Sequence, residues 1–398
     1  MTTIRKIKVT GFKSILNEEV DLGKLNVFIG TNGAGKSNFL EAVSMLSASI
    51  EGGIDYDRIA RRGSRLSSPQ IFRSAFKNRN RRNTFTLEVS TEELKYSMSV
   101  NAVDGFSYNA ESLKSIKDSV TLCGRSNNGS TVKGMKLKSK FDREKSIISL
   151  YRTLEQEFPD LLKIEDFAIY APSTPILRGV ATDNSNKSPL GLYGGRLAEA
   201  LSEVIGDGSK QKDLQRFFKL LDWFKQVGTT GQTNKDLISD HVSLGRKVVS
   251  YKDKFMKVNF NDLYAYDVSE GALYILFVLV LLSHKDAPNF VALDNIDSAL
   301  NPGLVRNLTS HISDIIFDNP DKQVLLTTHN PTTLDAIDLF NDEHRLFVVS
   351  RNEEGHTTIK RIEPPEGMTK EMWQEQYYGL KLSEIWLSGA IGGLTSGF

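Results

Sequence analysis

The sequence predicts an α/β fold whose two halves, residues 1–90 and 262–398, are separated by an inserted, α-rich region over 91–261. Three observations predict it. "GTNGAGKS", Gly30 to Ser37, lies between a short apolar run and an amphipathic stretch. From Asp262 onward, apolar helix-like and strand-like segments alternate. Between the halves the pattern turns polar and lysine-rich, then helical.

The elements follow in order. "IRKIKVTGF" alternates as a half-buried strand does, and "KLNVFIG" is a short apolar run ending in glycine, as a buried strand is. "KSNFLEAVSMLSASI" sets Phe39, Leu40, Val43, Leu46 and Ile50 at helical spacing. "NTFTLEVS" reads as a further strand. The insertion opens with strand-like pieces such as "KYSMSV" and continues with helical segments such as "DLQRFFKLLDWFKQV". The second half alternates "GALYILFVLVLLSH", "FVALD", "QVLLTTH" and "RLFVVSR", and its tail is aromatic and then glycine-rich. The run "LYILFVLVLL" is too short to span a bilayer and reads as a buried helix.

Composition narrows the class. The chain has 398 residues, 39% hydrophobic and 25% charged, as an ordinary globular protein has. A net charge of +1 means that an acidic partner must be met by a local patch. The single cysteine, Cys123, excludes an intrachain disulfide and a cysteine-rich zinc site, and fits a reducing compartment. With no apolar signal core at the N-terminus, the expected location is cytoplasmic, with no membrane contact.

"GTNGAGKS" fits G-x-x-x-x-G-K-[ST] in the required context of a strand before and a helix after. Its glycines let backbone N–H groups turn toward phosphate oxygens, and the helix N-terminus adds its positive end. Lys36 suits the outer phosphates, and the Ser37 hydroxyl suits Mg²⁺. A guanine-reading Asn-Lys-x-Asp is missing, because "TNKDL" has Leu237 where the aspartate belongs. "FVALD" ends a buried strand on Asp294, where a carboxylate can hold Mg²⁺. "VSEGA" opens the apolar helix, with Ser269 as its N-cap, and "LLTTHNP" carries His329 after a second apolar strand.

In this order, P-loop, "VSEGA", "LDNIDSALNP", "TTHNP", the chain resembles the ABC-type ATPase heads of the SMC, RecF and OLD-like families. The resemblance covers about residues 4–89 and 262–351, and the insertion lacks the heptads of an SMC coiled coil. It implies an ABC-type (RecF/SMC-like) P-loop ATPase head that binds ATP and Mg²⁺. Gly30, Asn32, Gly33, Gly35, Lys36, Ser37 and Asn38 would hold the nucleotide, with Lys13 of "GFKS" nearby and Gln70 as a metal-sensing glutamine. Ser37 and Asp294 would be the metal ligands. Ser269 and Gly271 would touch the γ-phosphate held by a second subunit, which implies a homodimer, or a higher oligomer of dimers, joined through ATP. "SALN" sits at the dimer-facing loop, and His329 would contact the γ-phosphate. Within these families it resembles the small bacterial RecF-like ATPases often paired with a nuclease in phage-defence or restriction loci, which implies a separate nuclease or toxin partner.

One position departs from the pattern. Such families follow Asp294 with a glutamate that takes a proton from the attacking water; here it is Asn295, and an amide cannot serve as that base. Asp297 is the alternative base after a loop rearrangement. The expectation is a nucleotide-gated regulator of a separate effector with slow hydrolysis. The alternatives are a RecF-like DNA-repair or restriction ATPase with normal turnover and a scaffold in which ATP only joins the dimer. Two basic stretches bear on DNA: Arg58 to Arg82 has nine basic residues and no acidic one, and Lys114 to Lys145 has nine against three. The plainer reading of both is a solvated face or a docking surface for an acidic protein.

Overall fold

The computed structural model describes residues 3–138, 141–154, 158–185, 187–208, 211–239 and 245–391. In chain order the first part runs β1 (Lys6–Phe12), β2 (Ile15–Asp21), β3 (Leu25–Ile29), α1 (Lys36–Glu51), α2 (Tyr56–Ala60) and β4 (Thr84–Ser90). It continues with β5 (Leu94–Asn101), β6 (Ser107–Ser115), β7 (Val120–Ser126), β8 (Gly129–Val132), β9 (Met135–Lys136), α3 (Ile147–Leu154), α4 (Pro159–Glu165) and β10 (Ala168–Tyr170). Then come α5 (Thr174–Leu177), α6 (Leu197–Gly206), α7 (Gln211–Leu220), β11 (Phe224–Thr230), β12 (Val248–Asp253), β13 (Asp262–Tyr264) and α8 (Glu270–Ser283). The last part holds β14 (Phe290–Leu293), α9 (Pro302–Asp318), β15 (Gln323–Thr328), β16 (His344–Arg351), β17 (Thr357–Ile362), α10 (Lys370–Gln376) and α11 (Leu382–Leu387).

The chain divides into two compact units, Met1–Ile169 with Pro288–Ile296 and Pro320–Phe398, and Tyr170–Ala287 with Asp297–Asn319. The first unit is built on two sheets. One is antiparallel in the order β2-β1-β4-β5-β6-β7-β8-β9. The other has the order β10-β14-β15-β3-β16-β17, and in it β14, β15, β3 and β16 run parallel. Helix α1 is buried on nearly every side, as an element enclosed by core must be. Phe28 of β3 stacks on Phe347 of β16 at 4.8 Å and meets Phe39 of α1 at 5.1 Å. Truncating such a buried ring to alanine costs about 3–5 kcal/mol.

Enclosure requires that the polar residues of α1 be satisfied. Ser44 bonds Ser64, Ser47 donates to the Glu165 carbonyl, and Ser49 meets the hydroxyls of Tyr96 and Tyr108. The serines in "AVSMLSASI" therefore tie the helix to its surroundings on all sides.

The second unit is centred on α8, whose residues Ala272 to Ser283 are all buried. Helices α5, α6, α7 and α9 pack on it, and β11-β12-β13 form a small antiparallel sheet. This is the buried helix expected of the apolar run.

Two expectations about the insertion need correction. Helices α3–α7 lie in it from Ile147 onward, with β10, β11 and β12 among them, but residues 94–136 form β5–β9 and extend the sheet that β1, β2 and β4 begin. Register shifts at Ser99/Val100 and Leu113/Lys114 interrupt the period-2 pattern that would have marked them. In "DLQRFFKLLDWFKQV" the helix stops at Leu220, and Phe224–Thr230 is strand β11.

Candidate functional site

Three parallel strands of the first unit end side by side. Register pairs Leu293 of β14 with Leu326 of β15, and Thr328 of β15 with Ile29 of β3. The residues that leave these strands, Asp294, His329 and Gly30, therefore share one carboxyl edge, which is where open α/β sheets bind ligands.

The P-loop fills that edge. Lys36 is buried, and its ammonium donates to the carbonyls of Gly30 at 2.7 Å and Thr31 at 3.1 Å. Gly30 and Gly35 are fixed by space: a Cβ on Gly30 would stand 2.1 Å from the Val349 carbonyl oxygen, and one on Gly35 2.1 Å from the Thr357 hydroxyl. Gly35 is also left-handed, at φ 114°, and precedes the first residue of α1. Gly33 is left-handed in open space at the tip, with Asn32 exposed beside it.

Ser37 is the second residue of α1, and its hydroxyl donates to Asp294 Oδ2 at 2.9 Å. The other oxygen of Asp294 accepts from Thr327, whose hydroxyl also accepts from the Asn295 amide at 2.8 Å. Two hard oxygen donors, Ser37 Oγ and the Asp294 carboxylate, converge beside the buried Lys36. This donor set fits Mg²⁺, which takes oxygen ligands and needs few from the protein. Asn295 itself is left-handed, at φ 56°. His329 is exposed directly after β15, while Asn330 caps the following turn, Pro331–Ala336.

Lys13 and Asn38 belong to one network beside this edge. The Lys13 ammonium pairs with Glu41 of α1, and both side chains are buried. Burial holds Lys13 below its ordinary value, against the pull of Glu41. Arg65 donates to Glu41 at 2.6 Å and to Asn38 at 2.8 Å. Its guanidinium is held above its usual value first by Glu41 and, more weakly, by the charge of Asp294. Asn38 donates to Ser14, and Ser14 shares a hydrogen bond with Thr357, which donates to the Ala34 carbonyl of the loop. Gln70 stands apart: it is exposed in a short turn, Pro69–Phe72, where Arg81 donates to it.

Three residues that hold the site escaped sequence reasoning: Thr327, which holds Asp294 and Asn295, and Thr357 and Arg351, which hold the P-loop. Arg351 donates to the Gly33 carbonyl at 3.0 Å and fixes the loop tip. Only Thr327 had a signal, its place in "LLTTHNP".

Ser269 and Gly271 lie in the second unit. Ser269 is exposed and caps α8 by accepting the Ala272 amide. A Cβ on Gly271 would stand 3.0 Å from the Ala299 carbonyl oxygen and 3.1 Å from Leu300, so the glycine lets the "SALN" loop lie on the first turn of α8. Ala299 is left-handed at φ 62°, and Asn301 caps α9. Asp297, in the same unit, is buried.

The basic stretches are not uniform. Arg58, Arg61 and Arg62 pair with Glu51, Arg65 pairs with Glu41, and Arg73 donates to Arg82 O and Asn83. Arg125 is buried against Glu111, while Lys114, Lys117, Lys133, Lys136 and Lys138 are exposed; Lys140 lies outside the described residues. Among the described residues, no helix is long and apolar enough to cross a membrane.

Two ATPase-domain models match along the chain. Residues 3–186 match the model of an AAA ATPase domain, and 197–335 match one described as "AAA domain, putative AbiEii toxin, Type IV TA system". No curated protein matches by sequence. Among solved structures, the chain is similar to an SMC head bound to the C-winged helix domain of ScpA, with TM-score 0.55 and 15% identity over 92% of this chain and 99% of that one. It is also similar to a Pyrococcus furiosus SMC head with an extended coiled coil bound to the C-terminal domain of ScpA, with TM-score 0.53 and 13% identity over 95% of this chain and 100% of that one. A Pyrococcus yayanosii SMC head with a coiled coil and joint gives TM-score 0.50 and 10% identity over 94% of this chain and 100% of that one. The chain has the fold of an SMC head, and both of its family matches are to AAA ATPase domains.

Proposed function

We propose that this ATPase is a nucleotide-gated dimeric switch that controls a separate effector, a nuclease or toxin, in the cytoplasm of a bacterium defending itself against phage, and that it hydrolyses ATP slowly. One observation carries the reading. The Ser37–Asp294 pair stands beside Lys36 at the strand edge, and the residue that follows Asp294 is the amide Asn295. Lys36 and the loop amides would bind the phosphates, and Ser37 and Asp294 would hold Mg²⁺. Bound there, the ion neutralises phosphate charge. A base that takes the proton of water is absent at position 295, and loss of a general base typically slows a reaction by roughly 100- to 10,000-fold.

Dimerisation through ATP is supported by the exposure of Ser269 at the start of α8, where a second copy's γ-phosphate could reach it. His329, exposed at the P-loop edge, would meet that phosphate from within its own chain. The toxin-family description supports the defence setting, and the ScpA complexes of similar heads support control through a partner protein. The basic stretches Arg58–Arg82 and Lys114–Lys145 supply surfaces on which such a switch could sense DNA.

The test is a phosphate-release assay with purified protein, run beside a measurement of ATP affinity. The expected outcome is Mg²⁺-dependent ATP binding with turnover well below one per second. Turnover of several per second would overturn the slow switch and favour a RecF-like DNA-binding ATPase with another base, Asp297 first.

A further inference from the structure

The run from Arg58 to Arg82 is not one surface. Its first five arginines bond within the fold, to Glu51, Glu41, Asn83 and the Arg82 carbonyl. Its last three, Arg79, Arg81 and Arg82, are exposed and border a groove of about 640 Å³. Thr10 of β1, Asn17 of β2 and Thr84 of β4 line that groove with the half-buried Phe76, whose ring meets His356 edge-on at 4.1 Å. The Arg79 guanidinium pairs with Glu354 at 3.2 Å, with both side chains more than half exposed, so water and salt weaken that pair. Arg81 donates to Gln70, a neutral partner.

The shape decides which nucleic acid suits the groove. A pocket in the range of roughly 300–1,000 Å³ encloses a ligand of drug size. Reading the bases of a duplex needs an element that protrudes into a groove about 12 Å wide, which a concave site does not offer. Cations that track phosphates beside an aromatic face are the requirements for a single strand. We infer that this groove takes single-stranded nucleic acid, one or two nucleotides at a time, with phosphates on Arg79, Arg81 and Arg82 and a base against Phe76. The inference rests on the nucleic-acid part of the reading above and not on the ATP switch.

Fluorescence anisotropy with a labelled ten-nucleotide oligo-dT and a 20-base-pair duplex tests it. The single strand should bind more tightly than the duplex. The triple variant Arg79→Glu, Arg81→Glu, Arg82→Glu should weaken it at least about tenfold and flatten its salt dependence. Phe76→Ala should weaken it about fivefold or more with the salt slope unchanged. ATP binding at the P-loop, measured on each variant, reports that the fold is intact, and Phe76→Leu replaces Phe76→Ala if that variant fails the check. Tighter duplex binding, or an unchanged single-strand affinity in the triple variant, would overturn the inference. So would displacement of the strand by ATP in Lys36→Ala protein, which would make the groove a free-nucleotide site. Protein that binds ATP but neither nucleic acid overturns it too, and leaves the switch standing.

Discussion

Asn295 holds the position where function and backbone geometry meet. Its φ of 56° lies in the left-handed region, which asparagine enters with little cost and a longer side chain enters at roughly 1 kcal/mol. The same residue thus suits the turn after β14 and withholds a base. Asn295→Glu should therefore raise ATP turnover, leave ATP affinity nearly unchanged and lower stability by about 1 kcal/mol. Phosphate release and denaturant melts check both halves, and a variant no faster than a slow wild type would shift attention to Asp297→Asn. A second single-residue expectation concerns pH. Burial pulls Lys163 down to about 8 from 10.5, opposed by Asp321. The folded chain then loses this proton before the unfolded chain does, so between about pH 8 and 10.5 the unfolded state binds more protons and stability from this group rises with pH. Lys163→Met should stabilise the protein most below pH 8, with an advantage that fades toward pH 10, as melts at both values would show. At this scale the sequence was readable where chemistry is local: Lys36, Ser37 and Asp294 carry their roles in short motifs. Arg351 and Thr357 were not readable, because each reaches the P-loop from more than 300 positions away. Lys13 was placed near the nucleotide by resemblance, but its partner Glu41 had no signal in sequence.

Among elements, α8 was legible because burial on all sides leaves a continuous apolar run and α1 because its large apolar residues recur at helical spacing, and β3, β14 and β15 because they are short apolar runs ending at a motif. Of the next five strands only β5 was read, in "KYSMSV"; β6–β9 were not, since most of their exposed residues are polar and the register slips on both sides of β6. Helix α8 makes an element-level prediction. Its first turn serves two purposes, a cap and a candidate phosphate contact, and substitutions at Ser269 separate them. Ser269→Ala removes the hydroxyl that accepts the Ala272 amide and should cost about 1 kcal/mol of stability. Ser269→Thr keeps a capping hydroxyl and should cost less than half of that. If the serine were only a cap, ATP-dependent behaviour would follow stability across the series. If it also meets a phosphate, Ser269→Ala should weaken ATP-driven self-association by more than its loss of stability explains. Denaturant melts beside sedimentation with and without ATP decide between the two.

At the scale of the whole molecule, the phosphate-binding residues and the signature serine belong to different compact units. The sequence order of motifs made both recognisable, while the three-part division 1–90, 91–261 and 262–398 follows the motifs and not the compact units. The basic run misled for a related reason. It reads as one surface until Glu41 and Glu51, contributed by α1, are seen to take up four of its arginines. The remaining question is assembly. ATP can shift a monomer–dimer equilibrium only by the contacts that its phosphates gain in the dimer. If Ser269 of one copy supplies such contacts to a nucleotide held by Lys36 of another, two substitutions should fail in different ways. Lys36→Ala should lose ATP affinity and, with it, the ATP-dependent dimer. Ser269→Arg should keep monomer ATP affinity within about threefold, since the P-loop is untouched, and still lose the dimer through bulk and charge at the junction. Light scattering with ATP and Mg²⁺, paired with a fluorescent-nucleotide titration, reads both quantities. A Ser269→Arg protein that dimerises with ATP as the wild type does would remove the signature from the interface, and with it the sandwich on which slow hydrolysis would act as a timer.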